Sequence, residues 1–192
     1  MGSLREAAKG CRGCPLFLPA TRTVFGEGPR RARLLLVGEQ PGDVEDREGA
    51  VFVGPAGRVL DEALKGAGLA RSEVYLTNAV KHFKFEQRGK RRIHKKPGAK
   101  EIEACRPWLG SELDAVRPAV VVCLGATAAN SVDRFDDLRG AEIVRTIHPS
   151  AALRAPEREA RHALRARLVR DLKTAKRLAS RRTASTKRIS RG

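Results

Sequence analysis

Four short apolar runs, separated by segments with helical spacing, constrain this chain more than any other feature of its sequence. The runs are "ARLLLVG" (32–38), "EVYLTNAV" (73–80), "RPAVVVCLG" (117–125) and "EIVRTIHPS" (142–150). Aliphatic and β-branched residues bounded by turn residues are typical of buried strands. Strands that alternate with helices predict a three-layer α/β/α sandwich around a mainly parallel, four-stranded sheet.

The segments between these runs have the apolar spacing of helices. Helices are predicted over residues 54–68, 99–116 and 156–179, in "ATAANSV" after the third run, and from Leu4, where Ser3 and Glu6 form a capping box. Residues 81–99 read as a basic loop. We expect one domain over residues 1–172 and a disordered basic tail over 173–192, which carries eight Lys or Arg and no acid.

The formal net charge of +17 and the pI of about 10.8 indicate an anionic partner. A membrane is disfavoured because no apolar run approaches the roughly 18–20 residues that a spanning helix needs. The first ten residues contain no apolar stretch of the signal-peptide type. We therefore expect a cytoplasmic protein that binds nucleic acid, and no feature indicates an oligomer.

Polar side chains follow three of the four predicted strands. Glu39, Gln40 and Asp43 come after the first strand, Asn78 ends the second and His148 ends the fourth. Ligands of open α/β sheets bind beyond the carboxyl ends of the strands, so these side chains predict one pocket. Each taken alone also fits a structural role, as a loop acid, a strand-end amide or a satisfied histidine.

The segment "GKRRIHKKP" (89–97) places His94 among five lysines and arginines. A loop of this charge is suited to grip phosphates, but a mostly neutral histidine is a poor phosphate ligand. His94 is therefore either one more polar residue of a phosphate-binding loop or a nucleophile or proton carrier brought to a nucleic acid.

Five segments together resemble the uracil-DNA glycosylase superfamily. They are "GEQPGDVEDREGAVFVGPAGRVLDEAL", "YLTNAVKHFKF", "KRRIH", "EIEACRPWLGSEL" and "HPSAALR". The resemblance spans about residues 5–170 and is to the iron–sulfur family 4 branch, more closely to its covalent UdgX-type relative. "KRRIH" is the segment specific to that type. "GAVFVG" departs from the more usual "GRPFVG", although Phe52 is kept.

The resemblance implies roles for the pocket residues. Glu39 would stabilise the cationic sugar or hold the attacking histidine, with Gln40 and Asp43 in the same loop. Phe52 would stack on the extruded base, whereas its alternative role is in the core. Asn78 would read the polar edge of uracil. His148 would stabilise the leaving anion.

The same resemblance implies that His94 attacks the anomeric carbon exposed when uracil leaves. The protein would then remain bonded to DNA, and turnover would stop after one event. Arg91 and Arg92 would position the loop on phosphates. Leu153 and Arg154 follow the "HPS" motif, in a segment that helps the family extrude the base.

The chain has four cysteines, Cys11, Cys14, Cys105 and Cys123. Two disulfides are not expected in an intracellular protein, so a metal or cluster site is the better interpretation. The resemblance implies a structural [4Fe-4S] cluster, while the spacing alone fits zinc equally well. Cys123 also fits a buried apolar position on its strand.

These observations predict a DNA repair protein that excises uracil from DNA and becomes attached to the abasic sugar through His94. One alternative is an ordinary family 4 glycosylase, in which water completes the reaction and the enzyme turns over. A second alternative is a non-catalytic module that binds uracil-containing DNA, or a zinc-stabilised DNA-binding protein.

Overall fold

Helices and strands alternate along the described part of the chain, which in this computed structural model comprises residues 1–189, with side chains through residue 181. The strands are β1 (Leu34–Gly38), β2 (Val74–Asn78), β3 (Phe85–Arg88), β4 (Arg91–His94), β5 (Val120–Leu124) and β6 (Glu142–Thr146). The helices are α1 (Gly2–Lys9), α2 (Asp43–Glu48), α3 (Pro55–Gly66), α4 (Ala99–Val116), α5 (Ala126–Val132), α6 (Pro149–Arg154) and α7 (Arg158–Ile189).

The central sheet has four parallel strands in the order β2-β1-β5-β6. Leu34 pairs with Val74 on one side and with Val120 on the other, so the two inner strands begin at the same level. Helices cover both faces. The chain thus has the three-layer α/β/α fold that the sequence predicted, with the carboxyl ends of all four strands at one edge.

Each inner strand sends alternate side chains into two apolar layers, because successive residues of a strand face opposite sides. Leu34 and Leu36 pack with α3 and α7. Leu35 and Val37 pack with α4 and α5. The continuous apolar runs of the sequence therefore reflect a sheet that is buried on both faces.

The segment predicted as a basic loop contains an antiparallel hairpin. Strands β3 and β4 pair from Phe85 with His94 to Arg88 with Arg91. Gly89 has φ 57° and supplies the left-handed residue of the turn. The sequence did not predict these strands because they are highly charged. The hairpin lies outside the central sheet, so its strands do not need the apolar pattern that indicates a buried strand.

Helix α7 continues past the predicted domain boundary at residue 172. Ala175 and Ala179 are buried in the same apolar layer as Leu168 and Leu172, so the packed domain reaches at least residue 179. The remainder of the predicted tail, residues 182–192, lies outside the residues whose side chains are described. No helix in the described residues has both the length and the apolar character needed to cross a membrane.

Candidate active site

A cleft of about 740 Å³ opens at the carboxyl edge of the sheet. It gathers seven of the predicted site residues, which reach it from five separate segments of the chain. These residues are Glu39, Gln40, Asp43, Phe52, Asn78, His94 and His148. Parallel strands explain the convergence, because Asn78 ends one strand of the sheet and Glu39 and His148 follow the ends of two others.

The inner wall of the cleft is formed by Asn78 and Phe52. Asn78 is 2% exposed, and its Oδ1 is buried without a hydrogen-bond partner in the described part of the chain. A Cβ on Gly38 would lie 2.2 Å from that oxygen and 2.6 Å from the Phe52 ring. Glycine is therefore required at the end of β1 for the amide and the ring to meet.

Phe52 is held in a strained backbone conformation. Its φ of 52° lies in the left-handed region, which bulky side chains rarely adopt. The Arg71 guanidinium donates to the carbonyls of Val51 and Phe52, at 2.6 and 3.2 Å. Strain that is maintained by surrounding contacts is a feature of functional sites, and here it directs the aromatic ring at the cleft.

Glu45, which the sequence analysis missed, braces the two loops of the cleft. Its buried carboxylate accepts from the backbone N–H of Gly42 at 3.1 Å and of Gly54 at 2.9 Å. These glycines flank the loops that carry Glu39 and Phe52. A capping-box pattern three residues after Gly42 was the available signal.

Both carboxylate oxygens of Glu39 have protein partners. Thr127 Oγ1 donates to Oε2 at 2.5 Å, and His94 Nε2 lies 3.5 Å from Oε1. Thr127 was also missed, although it follows the third predicted strand. The strand-end reasoning applied to the other three strands would have found it, because β5 is adjacent to β1.

Gln40 orients the imidazole of His94. The amide Oε1 of Gln40 accepts from the Lys84 N–H at 3.2 Å, and its Nε2 donates to the Lys95 carbonyl at 2.9 Å. These two contacts fix which way the amide points, so its nitrogen faces His94 Nε2 at 2.9 Å. His94 Nε2 is then an acceptor, and its lone pair is directed at the Gln40 amide.

Burial lowers the pKa of His94 below its usual value, and Glu39 opposes this shift only in part. The side chain is nevertheless half exposed, so a large ligand in the cleft has access to it. Nucleophilic attack requires a neutral imidazole, and it also requires that the hydrogen bond from Gln40 to Nε2 be released.

His148 has the complementary protonation pattern. Its Nδ1 accepts from the Ser150 N–H at 3.2 Å and lies 2.7 Å from Ser150 Oγ, which itself accepts from Arg154. The ring proton is therefore on Nε2, which is left to donate into the cleft. Burial lowers the pKa of His148 to about 4, so the imidazole is neutral at pH 7.

Arg92 was predicted to contact phosphates, but in the structure its guanidinium faces two carboxylates of the protein. Its guanidinium is 11% exposed and pairs with Asp43 and with the fully buried Asp46, the latter at 2.6 Å. It also lies over the rings of Phe83 and Phe85, at 5.4 and 5.0 Å. Arg92 thus fastens the hairpin to α2 rather than reaching outward.

Asp43 and Arg91 complete the predicted set. Asp43 lines the cleft but is occupied by Arg92 and by Arg47, whose Nε lies 3.1 Å away. Arg91 is exposed, lies outside the cleft lining and has no side-chain partner among the described residues. It remains the arginine of "KRRIH" that is free to contact a bound polyanion.

The four cysteines are only partly brought together. All are free thiols, and Cys14 packs against Cys105 in one small apolar cluster. Trp108 Nε1 donates to Cys11 Sγ at 3.1 Å. Cys123 instead packs in the layer between the sheet and α4. Among the described residues, no three Cys, His, Asp or Glu side chains are grouped closely enough to bind one metal ion.

The pKa values of the cysteine thiols are compatible with a metal cluster whose binding releases the thiol protons. Burial raises the pKa of Cys14, and it raises the pKa of Cys105 to about 11 and that of Cys123 to about 12. The backbone N–H of Lys81 and its charge oppose the shift at Cys105. Such thiols are protonated until a metal displaces the proton.

Comparison with known proteins places this geometry in context. The model of the uracil DNA glycosylase superfamily matches residues 25–173. A type-4 uracil-DNA glycosylase of Thermotoga maritima is 36% identical over 174 residues, which cover 84% of this chain and 87% of that protein. A type-4 uracil-DNA glycosylase of Pyrobaculum aerophilum is 33% identical over 188 residues, 88% of this chain and 89% of that protein. One from Archaeoglobus fulgidus is 40% identical over 135 residues, 70% of this chain and 64% of that protein.

Proposed function

This chain belongs to the uracil DNA glycosylase superfamily, and from that premise we propose that it removes uracil from DNA by cleaving the N-glycosidic bond. The observation that carries the proposal is the buried, unpartnered Oδ1 of Asn78 beside the ring of Phe52. A buried acceptor without a partner is unfavourable unless a ligand supplies a donor.

Uracil supplies that donor. Its N3–H would donate to Asn78 Oδ1, and the amide nitrogen of Asn78 would donate to O4, while Phe52 stacks on the ring. Cytosine presents a lone pair at N3 and an amino group at position 4, so both contacts become repulsive. A base inside a duplex cannot reach this wall, so the nucleotide must be flipped out of the stack.

His148 would assist departure of the base. As the C1′–N1 bond breaks, its electron pair moves onto uracil, and negative charge develops on the ring oxygens. The Nε2–H of His148, left free to donate because Nδ1 accepts from Ser150, would donate to the carbonyl oxygen beside N1. A neutral donor suits this role because it stabilises the anion without protonating it.

We further propose that His94 captures the sugar. After the hydrogen bond from Gln40 is released, the lone pair of His94 Nε2 would form a bond to C1′ as uracil leaves with its electron pair, giving an alkylated imidazolium and a uracil anion. The Nδ1 proton then passes to solvent. Glu39, 3.5 Å from Nε2, would stabilise the cationic sugar and the imidazolium in turn. The alkylated imidazole is a poor leaving group, so one event would end the reaction.

An ordinary turnover reaction is the second candidate, and the names of the type-4 relatives favour it. In that reaction Glu39 would activate a water molecule against C1′. The geometry offers less support for this step, since one Glu39 oxygen is bonded to Thr127 and the other faces His94. Water would have to enter between Glu39 and the imidazole.

We propose that Cys11, Cys14, Cys105 and Cys123 hold a [4Fe-4S] cluster, with zinc as the alternative for the same thiols. A cluster would supply structural cross-linking, joining the N-terminal segment to α4 and β5. The proximity of Cys14 to Cys105 supports this assignment. Iron and acid-labile sulfide content, compared with zinc content, would separate the two alternatives.

The partner in this proposal is uracil-containing DNA, and the process is base excision repair by a monomer in the cytoplasm. Arg91, exposed and unpaired among the described side chains, would contact a phosphate beside the flipped nucleotide. Leu153 is 42% exposed and lines the cleft with Arg154, where an apolar side chain is suited to fill the vacated stack.

A labelled uracil-containing oligonucleotide tests both steps. We expect release of free uracil together with a protein–DNA band that survives heat and detergent, with the modified peptide containing His94. His94→Ser should abolish the band while uracil is still released. His162→Ser, which changes another exposed histidine outside the cleft, should have no effect. An alkali-labile product without the band would establish turnover, and neither product would leave only a binding role.

A further inference from the structure

A second cleft lies at the opposite edge of the sheet from the catalytic cleft. It has a volume of about 1010 Å³ and is formed by the segments that enter β1, β5 and β6. Five arginines line it, Arg30, Arg31, Arg33, Arg117 and Arg139. All five are exposed, and Asp114 is the one acid among the described residues of the lining.

Most of this positive charge is not neutralised by the protein. Asp114 pairs with Arg139 at 2.9 Å. Arg33 donates to the carbonyl oxygen of Ala179, which carries no formal charge. Arg30 and Arg31 have no hydrogen-bond or ion-pair partner in the described part of the chain. Five guanidinium groups against one carboxylate leave the cleft strongly electropositive, with the planar donor forks of Arg30 and Arg31 open to solvent.

The arrangement is suited to a row of phosphates rather than to one. The arginines lie in the segments that precede three adjacent strands. Neighbouring strands are about 4.8 Å apart, so the three strands span about 10 Å. One strand of a DNA duplex carries about three phosphates over that length of helix axis. One guanidinium group can donate two hydrogen bonds to the oxygens of one phosphate. Arginines spaced along a cleft therefore favour a chain of linked phosphates.

The C-terminal half of α7 approaches the same surface. The bond from Arg33 to Ala179 holds this part of the helix beside the cleft. Residues 173–181 contain Lys173, Lys176, Arg177 and Arg181 and no acid. Of these, Lys176 donates to the carbonyl oxygen of Gly68, and the stretch carries a formal charge of +4.

DNA bound in the catalytic cleft would leave this surface open. The strands are parallel and five residues long, so the two clefts are separated by about 16 Å of sheet at about 3.3 Å per residue. We propose that the arginine cleft binds the phosphodiester backbone of a second DNA segment, so that one protein bridges two duplexes. This inference does not depend on whether the catalytic cleft removes uracil.

The test uses uracil-free DNA, which isolates the second site from the reaction. One duplex carries biotin and another a fluorophore, and capture of fluorescence on streptavidin measures bridging by the full chain. The variant is Arg30→Gln/Arg31→Gln, which removes two exposed, unpaired charges. The matched control is Lys100→Gln/Arg170→Gln, which removes two exposed charges that line neither cleft.

We expect the wild type and the control to bridge the duplexes, and the Arg30/Arg31 variant to lose most of the captured signal. For duplex binding, the slope of log K against log salt should fall in magnitude by about 1.8 in the variant, for two lost phosphate contacts. Bridging that is absent in the wild type, or equal in both double variants, would overturn the inference. Saturable binding of pyrophosphate without bridging would assign the cleft to small phosphates and overturn it as well.

Discussion

The ion pair between Lys81 and Glu112 gives the most demanding test of how this fold supports its site. Both side chains are fully buried, and Nζ lies 2.5 Å from Oε2. Lys81 Nζ also donates to Thr77 Oγ1 and to the carbonyl oxygen of Asn78, each at 2.7 Å. The pair therefore fixes the backbone of the residue that is proposed to read uracil.

Glu112→Gln preserves the shape of the side chain but leaves the Lys81 charge without a counter-charge. Removing one partner of a buried ion pair destabilises a protein by about 3–5 kcal/mol. That loss is a large part of the 5–15 kcal/mol or so that stabilises a typical domain. For a chain of this size it corresponds to a fall in melting temperature of roughly 6–20 °C.

Lys81→Met/Glu112→Gln removes the charge as well as its partner, so no uncompensated ion remains buried. We expect the double variant to be more stable than the sum of the two single changes predicts, by at least about 2 kcal/mol. Thermal denaturation of the four proteins in one buffer gives this coupling energy. Uracil release, measured where all four are folded, should fall in both Lys81 variants because the carbonyl of Asn78 loses its donor.

Glu103→Gln is the matched control on the same helix. Glu103 pairs with Arg134 at 3.1 Å, and both side chains are about half exposed. Exposed pairs contribute about 0–1 kcal/mol, so this change should shift the melting temperature little. If Glu112→Gln has no larger effect than Glu103→Gln, or if the two single changes are additive, the reasoning about the buried pair is refuted.

Three further changes test the cleft. Glu45→Ala removes the acceptor of two backbone N–H groups, and each hydrogen bond to a charged acceptor contributes about 1.5–3 kcal/mol. Thermal denaturation should therefore show a loss of about 3–6 kcal/mol in the free energy of unfolding, and uracil release should slow. Unchanged stability would contradict the bracing role. Arg92→Gln should lower the yield of the covalent band while uracil is still released, whereas Arg91→Gln should leave the yield intact and reduce the salt slope of DNA binding by about one. Because burial lowers the pKa of His94 and protonation removes its lone pair, the rate of band formation should stay constant as pH falls through about 6.5 and decline only below it; a decline that begins above that value would argue against His94 as the nucleophile.

The strands and the position of the cleft could be predicted because both follow from local pattern. Apolar runs of seven to nine residues that alternate with helices are typical of a parallel sheet buried on both faces. Once the strands are parallel, Glu39, Asn78 and His148 must lie at one edge. Helix α4 has the predicted bounds of 99–116, since Gly98 and Arg117 end the apolar spacing on either side.

The contacts that hold the site together could not be predicted in this way. Arg92 is separated from Asp46 by 46 residues, and no local signal distinguishes it from Arg91. Glu45 is an ordinary acid in a helix until Gly42 and Gly54 are known to be its partners. Such partners are set by tertiary packing, which the spacing of residues along the chain does not record.

The hairpin explains why a histidine stands among arginines in "KRRIH". In a strand, successive side chains face opposite sides, so Arg92 and His94 share one face of β4 while Arg91 and Ile93 share the other. The first face is turned toward α2 and the cleft, where Arg92 meets Asp46 and His94 meets Gln40. A shift of one residue in the register of β3 and β4 would exchange the two faces, directing His94 to solvent and Arg91 to the buried carboxylate. Strand register, set by the turn at Gly89 and by the Arg92 ion pairs, therefore decides which basic side chain is available for phosphates and which nitrogen is presented to the sugar.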